Sequence, residues 1–109
     1  MRRLKVRYRS EAIADLDWIF DAILRVSANQ ITAERFVRRI LARCRRIGNA
    51  PYGGRPRDDL EPGLRTVPFE RRAVIAYRVT DAVEITNVFY GGRDYEALYR
   101  NEGDKPDRE

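Results

Sequence analysis

The 109-residue sequence contains no histidine and only one cysteine, Cys44. Without histidine, the chain cannot form a Ser-His-Asp or Cys-His triad, and a ribonuclease mechanism that uses paired histidines is excluded. One cysteine and no histidine leave no credible site for zinc or another transition metal, and an intrachain disulfide cannot form. The composition therefore predicts a protein without a metal or other cofactor.

Long apolar runs and phosphate-binding loops are also missing. The longest apolar segments, such as residues 73–77, are far too short to cross a bilayer, and the N-terminus lacks the hydrophobic stretch of a signal peptide. The sequence has no P-loop and no glycine-rich dinucleotide fingerprint, and the pairs Gly53-Gly54 and Gly91-Gly92 indicate turns. These absences predict a cytoplasmic protein that has no membrane partner.

Basic side chains outnumber acidic ones and are almost all arginine. The chain has 22 Lys and Arg against 17 Asp and Glu, a net charge of +5, and lysine only at Lys5 and Lys105. Such a charge favours an acidic partner, either nucleic acid or an acidic protein, although moderately basic small proteins are common. A hydrophobic content of 43 % is enough for one core, and the length predicts a single domain.

The pattern of the first half predicts one strand and two helices. Apolar and charged residues alternate over residues 4–8, as in a half-buried strand. Ser10 fits a helix N-cap, and apolar residues at helical spacing predict a helix over about residues 11–26. After a cap at Ser27 or Asn29, a second amphipathic run ends at Gly48, which fits the left-handed C-terminal cap position. So short a join predicts an antiparallel helical hairpin.

The second half is predicted to be mainly strand. Residues 50–63 hold three prolines and three glycines and are predicted to form a loop. The segments that follow are rich in β-branched and aromatic residues, and the connections between them are short enough for hairpin turns. We therefore expect an antiparallel meander of three strands, over residues 64–69, 73–79 and 83–90.

Together these elements predict an α+β two-layer sandwich in the order β-α-α-β-β-β. The helical hairpin covers one face of an antiparallel sheet because its apolar stripes must be buried. Residues 94–100 are expected to add a short C-terminal helix. The single domain is therefore placed at residues 1–100, and the charged segment 101–109 is expected to be a disordered tail.

Several local patterns stand in an order typical of one toxin superfamily. Each pattern is weak alone, but their order and separations are fairly specific. The patterns are Ser10-x-Ala12-x-x-Asp15-Leu16-x-x-Ile19, Pro51-Tyr52-x-Gly54, Gly63-Leu64-Arg65, Ile75-Ala76-Tyr77-Arg78-Val79 and Gly91-Gly92-Arg93-Asp94. Over about residues 4–99 the chain resembles the ParE branch of the RelE/ParE toxin superfamily.

This resemblance implies the toxin of a type II toxin–antitoxin system. It implies a stable complex with a cognate, ParD-like antitoxin encoded by the adjacent gene. It also implies a cellular target, which is DNA gyrase in the ParE branch and mRNA on the ribosome in the RelE branch. A third alternative is a degenerate member of the family that is not toxic.

The residues of the RelE-type nuclease are only partly present. Arg65, Arg93 and Tyr99 match that branch in position or spacing, and would be the catalytic residues if the chain were an endoribonuclease. However, no lysine lies in the three strands of the predicted meander, and Val74 stands where the cleaving branch has an arginine. An arginine cannot readily accept a proton near neutral pH, so the general base is missing. Tyr90 also departs from the ParE pattern, in which a histidine is common. The missing lysine base favours a gyrase-binding toxin without chemistry of its own, whereas the departure at Tyr90 bears only on a role specific to that side chain.

Candidate binding residues fall into two groups, each with a structural alternative. Arg65 and Arg93 can grip a phosphate or carboxylate of the target, or they can fasten the end of the sheet. Tyr99 can stack on a base or pack onto the sheet.

For the partner, Trp18 lies off the apolar stripe and can be a binding anchor or pack at the edge of the hairpin. An arginine stripe can bind an acidic segment or remain solvated. It consists of Arg35, Arg39, Arg43 and Arg46. Cys44 is predicted to be buried and inert.

Overall fold

This computed structural model describes residues 3–92 and 94–104, with side chains up to residue 100. The described residues contain three helices and five strands. In chain order the elements are β1 (Val6–Tyr8), α1 (Ser10–Ser27), α2 (Gln30–Ile47), β2 (Arg55–Pro56), β3 (Arg65–Phe69), β4 (Ala73–Val79), β5 (Val83–Tyr90) and α3 (Tyr95–Asp104). The predicted α+β class, the helical hairpin and the short C-terminal helix are confirmed.

The strands form one sheet in the order β1-β5-β4-β3-β2. β3, β4 and β5 are the predicted antiparallel meander, and β2 adds a two-residue antiparallel strand that was not predicted. β1 pairs with β5 in parallel, with Val6 opposite Val83, so the prediction of a wholly antiparallel sheet is wrong at this edge. The reason is topological. The helical hairpin carries the chain to the opposite edge of the sheet, and the meander then returns toward β1, so that β5 runs beside β1 in the same direction.

The predicted helix caps are partly confirmed. The side chain of Asn29 accepts hydrogen bonds from the Ile31 and Thr32 N–H groups, so it caps α2. Ser10 is not a cap, because α1 begins at Ser10 itself. The N-cap position belongs to Arg9, which makes no capping bond through its side chain.

Gly48 does not adopt the predicted left-handed conformation, because its φ is −60°. A Cβ atom at this position would lie 2.6 Å from the Leu4 carbonyl oxygen, so glycine allows β1 to approach the end of α2. The Leu4 N–H donates to the Gly48 carbonyl oxygen at 2.9 Å, which ties the two segments together. The left-handed residue of the hairpin is Ala28, at the end of α1, with a φ of 54°.

One face of the sheet carries the main core. The buried stripes of α1 and α2, which include Ile19 and Ile40, pack against β-strand residues such as Ile75 and Ile85. Cys44 is fully buried here as predicted, and burial raises the pKa of its thiol to about 11. The thiol is therefore protonated and unreactive at neutral pH.

The other face carries a smaller cluster under α3. Leu64, Ala76 and Phe89 are buried there, and Tyr95 and Tyr99 of α3 pack against them. The helix extends to Asp104 and so includes the first four residues of the predicted tail. The remaining part of that tail, residues 105–109, lies outside the described residues.

Candidate functional site

Arg65, the first residue of β3, fastens the loop that precedes β2. One of its terminal nitrogens donates to the carbonyl oxygens of Tyr52 and Gly54, at 2.9 and 2.8 Å. Its guanidinium also lies 5.2 Å from the centre of the Tyr52 ring, close enough for a cation–π contact. The structural alternative therefore accounts for the position of Arg65.

Tyr77 of β4 binds the same loop through its buried side chain. The buried hydroxyl of Tyr77 accepts from the Gly54 N–H at 2.9 Å and donates to the Pro51 carbonyl oxygen at 2.8 Å. Burial raises the pKa of this hydroxyl, which keeps its proton for that bond. A Cβ on Gly54 would lie 2.4 Å from the hydroxyl oxygen, so the Pro51-Tyr52-x-Gly54 motif requires its glycine. The motif is explained by packing around Tyr77.

Tyr99 lies on the opposite face of the sheet from this loop. It is half-buried on α3, and its ring meets the Phe89 ring edge to face, with centroids 6.3 Å apart. Arg65 pairs with Tyr77 in the sheet and shares its side, which is the face of the main core. Alternation along the strands thus places Arg65 and Tyr99 on different faces. Arg93, the third residue of the predicted set, lies outside the described residues.

Arg57 is a buried arginine that the sequence pattern does not predict. Only 6 % of the residue is exposed, and its guanidinium bonds Asp59 at 2.8 Å and Glu96 of α3 at 2.7 Å. It also donates to the Tyr95 hydroxyl at 3.3 Å. Hydrogen bonds from Arg57 hold the pKa of both carboxylates below their usual range. Arg57 therefore connects α3 to the loop beneath it, and no local sequence pattern marks this long-range role.

An aromatic cluster lies at the end of the sheet where β5 finishes. Trp18 is 56 % exposed and meets the Tyr90 ring at a centroid distance of 6.4 Å. Tyr90 in turn contacts Phe36 of α2 at 5.7 Å. The Arg72 guanidinium lies 4.5 Å from the centre of the Phe36 ring and donates to the Tyr90 hydroxyl at 3.2 Å. Trp18 therefore packs at the edge of the hairpin, as one of the two alternatives predicts, and still exposes more than half of its surface.

Beside this cluster, the β3–β4 turn holds two non-glycine residues in the left-handed region. Glu70 and Arg71 have φ angles of 50° and 57°, and the Arg72 N–H closes the turn on the Phe69 carbonyl oxygen. Each such residue carries strain of order 1 kcal/mol. Glu70 is held by two hydrogen bonds from Arg39, at 2.8 and 3.0 Å, which also lower the pKa of its carboxyl. The turn predicted between these strands is present.

The predicted arginine stripe is divided by its surroundings. Arg39 is committed to Glu70, and Arg43 is half-buried. Arg35 and Arg46 are exposed. The stripe is therefore not one continuous cationic surface.

Arg46 belongs instead to a groove between β1 and the C-terminal part of α2. This groove, here called the basic groove, encloses about 750 Å³. It is lined by Arg3, Leu4, Lys5, Val6, Ala42, Arg45, Arg46 and Asn49. Four of these side chains are cationic and none is a carboxylate, so the groove suits an anionic ligand.

Within the described residues, no cluster of three or more His, Cys, Asp or Glu side chains could hold a metal ion. None of the helices in that part of the chain is long and apolar enough to span a membrane.

Comparisons with known proteins support the likeness to toxins. The profile of a family described as the ParE toxin of the type II toxin–antitoxin system parDE matches residues 6–95. A solved structure from P. aeruginosa, titled as a chromosomal ParDE toxin–antitoxin system, superposes with a TM-score of 0.70. It is 24 % identical in sequence, and the alignment covers 81 % of this chain and 96 % of that one. A search of curated proteins finds no significant match.

Proposed function

The chain belongs to the ParE toxin family of type II toxin–antitoxin systems, and from this membership we propose that it poisons DNA gyrase by binding, without chemistry of its own. A cognate ParD-like antitoxin, encoded by the adjacent gene, is proposed to neutralise it in the cytoplasm. The observation that supports a binding mechanism best is the separation of Arg65 from Tyr99 on two faces of the sheet.

Neither Arg65 nor Tyr99, the two described residues of the set that matches the nuclease branch, is suited to act as a general base. Burial raises the pKa of the Tyr99 hydroxyl, so this group retains its proton at neutral pH. Lys5 precedes β1 and is the one lysine among the described residues. Because arginine does not release its proton in this pH range, Arg65 cannot abstract a proton from a substrate either. These features weigh against the RelE-like alternative of mRNA cleavage on the ribosome.

Two surface features support an antitoxin partner. Trp18 presents a large, rigid ring beside Tyr90, and tryptophan is among the residues that most often dominate binding energy in interfaces. The basic groove offers cations without a neighbouring carboxylate. A partner with both apolar and acidic side chains would complement these two features.

A single substitution separates the two target classes. Tyr99→Phe keeps the ring that packs on Phe89 and removes only the hydroxyl. A gyrase-binding toxin should keep its toxicity in this variant, whereas loss of a catalytic acid lowers a rate by about a hundredfold or more. Growth arrest, plasmid supercoiling and mRNA integrity should be measured after induction, with the thermal unfolding midpoint as a check on folding.

The expected result is growth arrest with altered supercoiling and intact mRNA in both proteins. Ribosome-dependent mRNA cuts that occur with the wild type and vanish in Tyr99→Phe would contradict the gyrase proposal. For the antitoxin, co-expression of the adjacent open reading frame should restore growth. Continued arrest in the presence of that gene product would contradict neutralisation by it.

A further inference from the structure

Tyr52 presents an exposed aromatic ring that the packing of its loop does not explain. Its neighbours Pro51 and Gly54 are bound by the Tyr77 hydroxyl, whereas Tyr52 itself is 66 % exposed. The Arg65 guanidinium lies over one face of the Tyr52 ring, 5.2 Å from its centre. The opposite face of the ring is left to the solvent, so the loop offers a flat apolar surface to a ligand.

The fold holds this ring in place before a ligand arrives. A terminal nitrogen of Arg65 donates to the carbonyl oxygens of Tyr52 and Gly54, and the Tyr77 hydroxyl binds the loop at Pro51 and again at Gly54. The loop is therefore fixed on both sides of Tyr52. A ligand that stacks on the ring loses little binding free energy to the ordering of this loop.

Two arginines beside the ring retain charge that the fold does not neutralise. Neither Arg65 nor Arg43 of α2 forms an ion pair with a described carboxylate. The two hydrogen bonds of Arg65 come from one terminal nitrogen, so three of its five N–H groups remain for a ligand. Both positive charges oppose the effect of burial on the pKa of the Tyr77 hydroxyl, so both guanidinium groups lie near it. We call Tyr52, Arg43 and Arg65 the Tyr52 patch.

The composition of the Tyr52 patch favours nucleic acid over an acidic protein. Protein interfaces have a core of several apolar side chains, and Tyr52 has no exposed apolar neighbour of that kind. The other large apolar residues that are exposed in the described part of the chain lie on the three helices, namely Ile13, Trp18, Val26, Ile31 and Leu98. Single-stranded nucleic acid requires cations for its phosphates and an aromatic ring on which a base can stack. The patch supplies both.

We propose that the Tyr52 patch binds single-stranded DNA, with a base stacked on the free face of the Tyr52 ring and phosphates bound by Arg43 and Arg65. This contact goes beyond the binding of gyrase and gives the toxin a nucleic acid ligand of its own. The choice of DNA rests on the proposed function, because gyrase acts on DNA. Stacking accepts every base, so the patch should have little sequence preference.

The test uses the purified full-length protein and two fluorescein-labelled oligonucleotides of ten units, with binding followed by fluorescence anisotropy. The first probe is a thymidine decamer, and the second carries the same phosphates on abasic sugars. The protein should bind the thymidine decamer about tenfold more tightly, because only this probe has bases that stack on Tyr52. Attraction of the phosphates to the basic groove acts on both probes alike and cancels in the ratio of the two affinities.

Two variants of Tyr52 test the stacking contact. Tyr52→Ala should bring the ratio of the two affinities close to one, whereas Tyr52→Phe keeps a ring and should retain the preference for the thymidine decamer. Because Tyr52 is largely exposed, both variants should fold, which their thermal unfolding midpoints would confirm. A ratio close to one in the wild type, or an unchanged ratio in Tyr52→Ala, would overturn the proposal.

A matched pair of variants tests the cations. Arg43→Gln removes a charge from the patch, and Arg35→Gln removes the same charge from an exposed position near the start of the same helix. Arg43→Gln should reduce the slope of log affinity against log salt concentration by about 0.7, because one phosphate contact is lost. Arg35→Gln should leave this slope unchanged. An equal reduction in both variants would mean non-specific attraction and would overturn the proposal.

A uridine decamer tests the choice of DNA over RNA. It should bind no more tightly than the thymidine decamer, and binding more than tenfold tighter would overturn the assignment to DNA. A separate supercoiling assay with purified gyrase keeps the two proposals apart. The titrations contain no gyrase, so their failure removes the patch as a nucleic acid site and leaves the gyrase proposal standing. A toxin without effect on supercoiling would contradict the gyrase proposal and leave the titration result in place.

Discussion

The two faces of the sheet are stabilised by different forces. The face under α1 and α2 buries a large apolar core, with Ile19, Ile40 and Ile75 fully enclosed. The face under α3 buries only a small cluster of described residues, and a buried arginine, Arg57, joins the helix to the loop by ionic hydrogen bonds. Apolar burial acts between many atoms at once, whereas the α3 contact depends on a few charged groups. The difference implies that α3 opens more easily than the hairpin.

The largest effect is expected from Ile40→Ala, which tests the hairpin face. The side chain of Ile40 is fully buried, so water cannot take the place of the removed atoms and the truncation leaves a cavity. The free energy of unfolding should fall by about 2–5 kcal/mol, as urea denaturation would measure. A loss below about 1 kcal/mol would mean that the hairpin face is not a tightly packed core.

A smaller and more local effect is expected from Arg57→Leu. This substitution keeps apolar contacts in the buried position and removes the bonds to Glu96 and Tyr95. Protection of the α3 amides from hydrogen exchange should fall about tenfold, while the amides of β4 keep theirs. Equal loss of protection in both elements would contradict independent opening of α3.

The pH dependence of local stability should distinguish the two faces of the sheet in the unmutated protein. The hydrogen bond from Arg57 lowers the pKa of Glu96 in the folded state. The stabilisation of α3 by this bond is therefore complete above the ordinary pKa of 4.5, and it is lost as the pH falls through the lowered pKa. No histidine titrates between pH 5 and 8.

Amide exchange in α3, corrected for the intrinsic rate at each pH, should therefore be constant from pH 7 to 5 and accelerate in more acidic solution. In Arg57→Leu this acid-induced acceleration should be absent. Acceleration of the same size in that variant would assign the effect to other carboxylates.

The smallest effect on stability is expected at the rim of the hairpin face, from Trp18→Ala. The side chain is largely exposed and meets the Tyr90 ring in an edge contact. The free energy of unfolding should therefore fall by less than about 1 kcal/mol. Affinity for the antitoxin should fall by more than this, by about 2 kcal/mol or more, if Trp18 is an anchor. Trp18→Phe is the control that keeps an aromatic ring. Unchanged antitoxin affinity in Trp18→Ala would remove Trp18 from the partner surface.

The same contrast explains what could be predicted from the sequence. Helices and strands around the main core follow from periodic apolar residues, because each element must bury one face. The contacts under α3 follow no such periodic pattern of apolar residues. Arg57 stands among charged loop residues, and its partner Glu96 lies on α3. The two residues of β2 pair with β3 but carry no alternating pattern.

Site residues were harder to predict because their roles depend on distant backbone atoms. Arg65 matched a family position, yet its bonds to the loop carbonyl oxygens can be recognised only in the folded chain. Gly48 was expected to be a helix cap from its position, and its role as a point of contact with Leu4 depends on a strand at the start of the sequence. The basic groove likewise combines residues 3–6 with residues 42–49.

The pairing of β1 with β5 also constrains the order in which the protein can be completed during translation. Val6 meets Val83, so the first strand must wait for nearly the whole domain to be synthesised before it has a partner. At about 5–20 residues per second, that interval lasts roughly 4 to 15 seconds. The hairpin can form in the meantime, but β1 has no place in a sheet until β5 leaves the ribosome. A polypeptide with this architecture cannot complete its sheet until β5 has been synthesised, several seconds after β1.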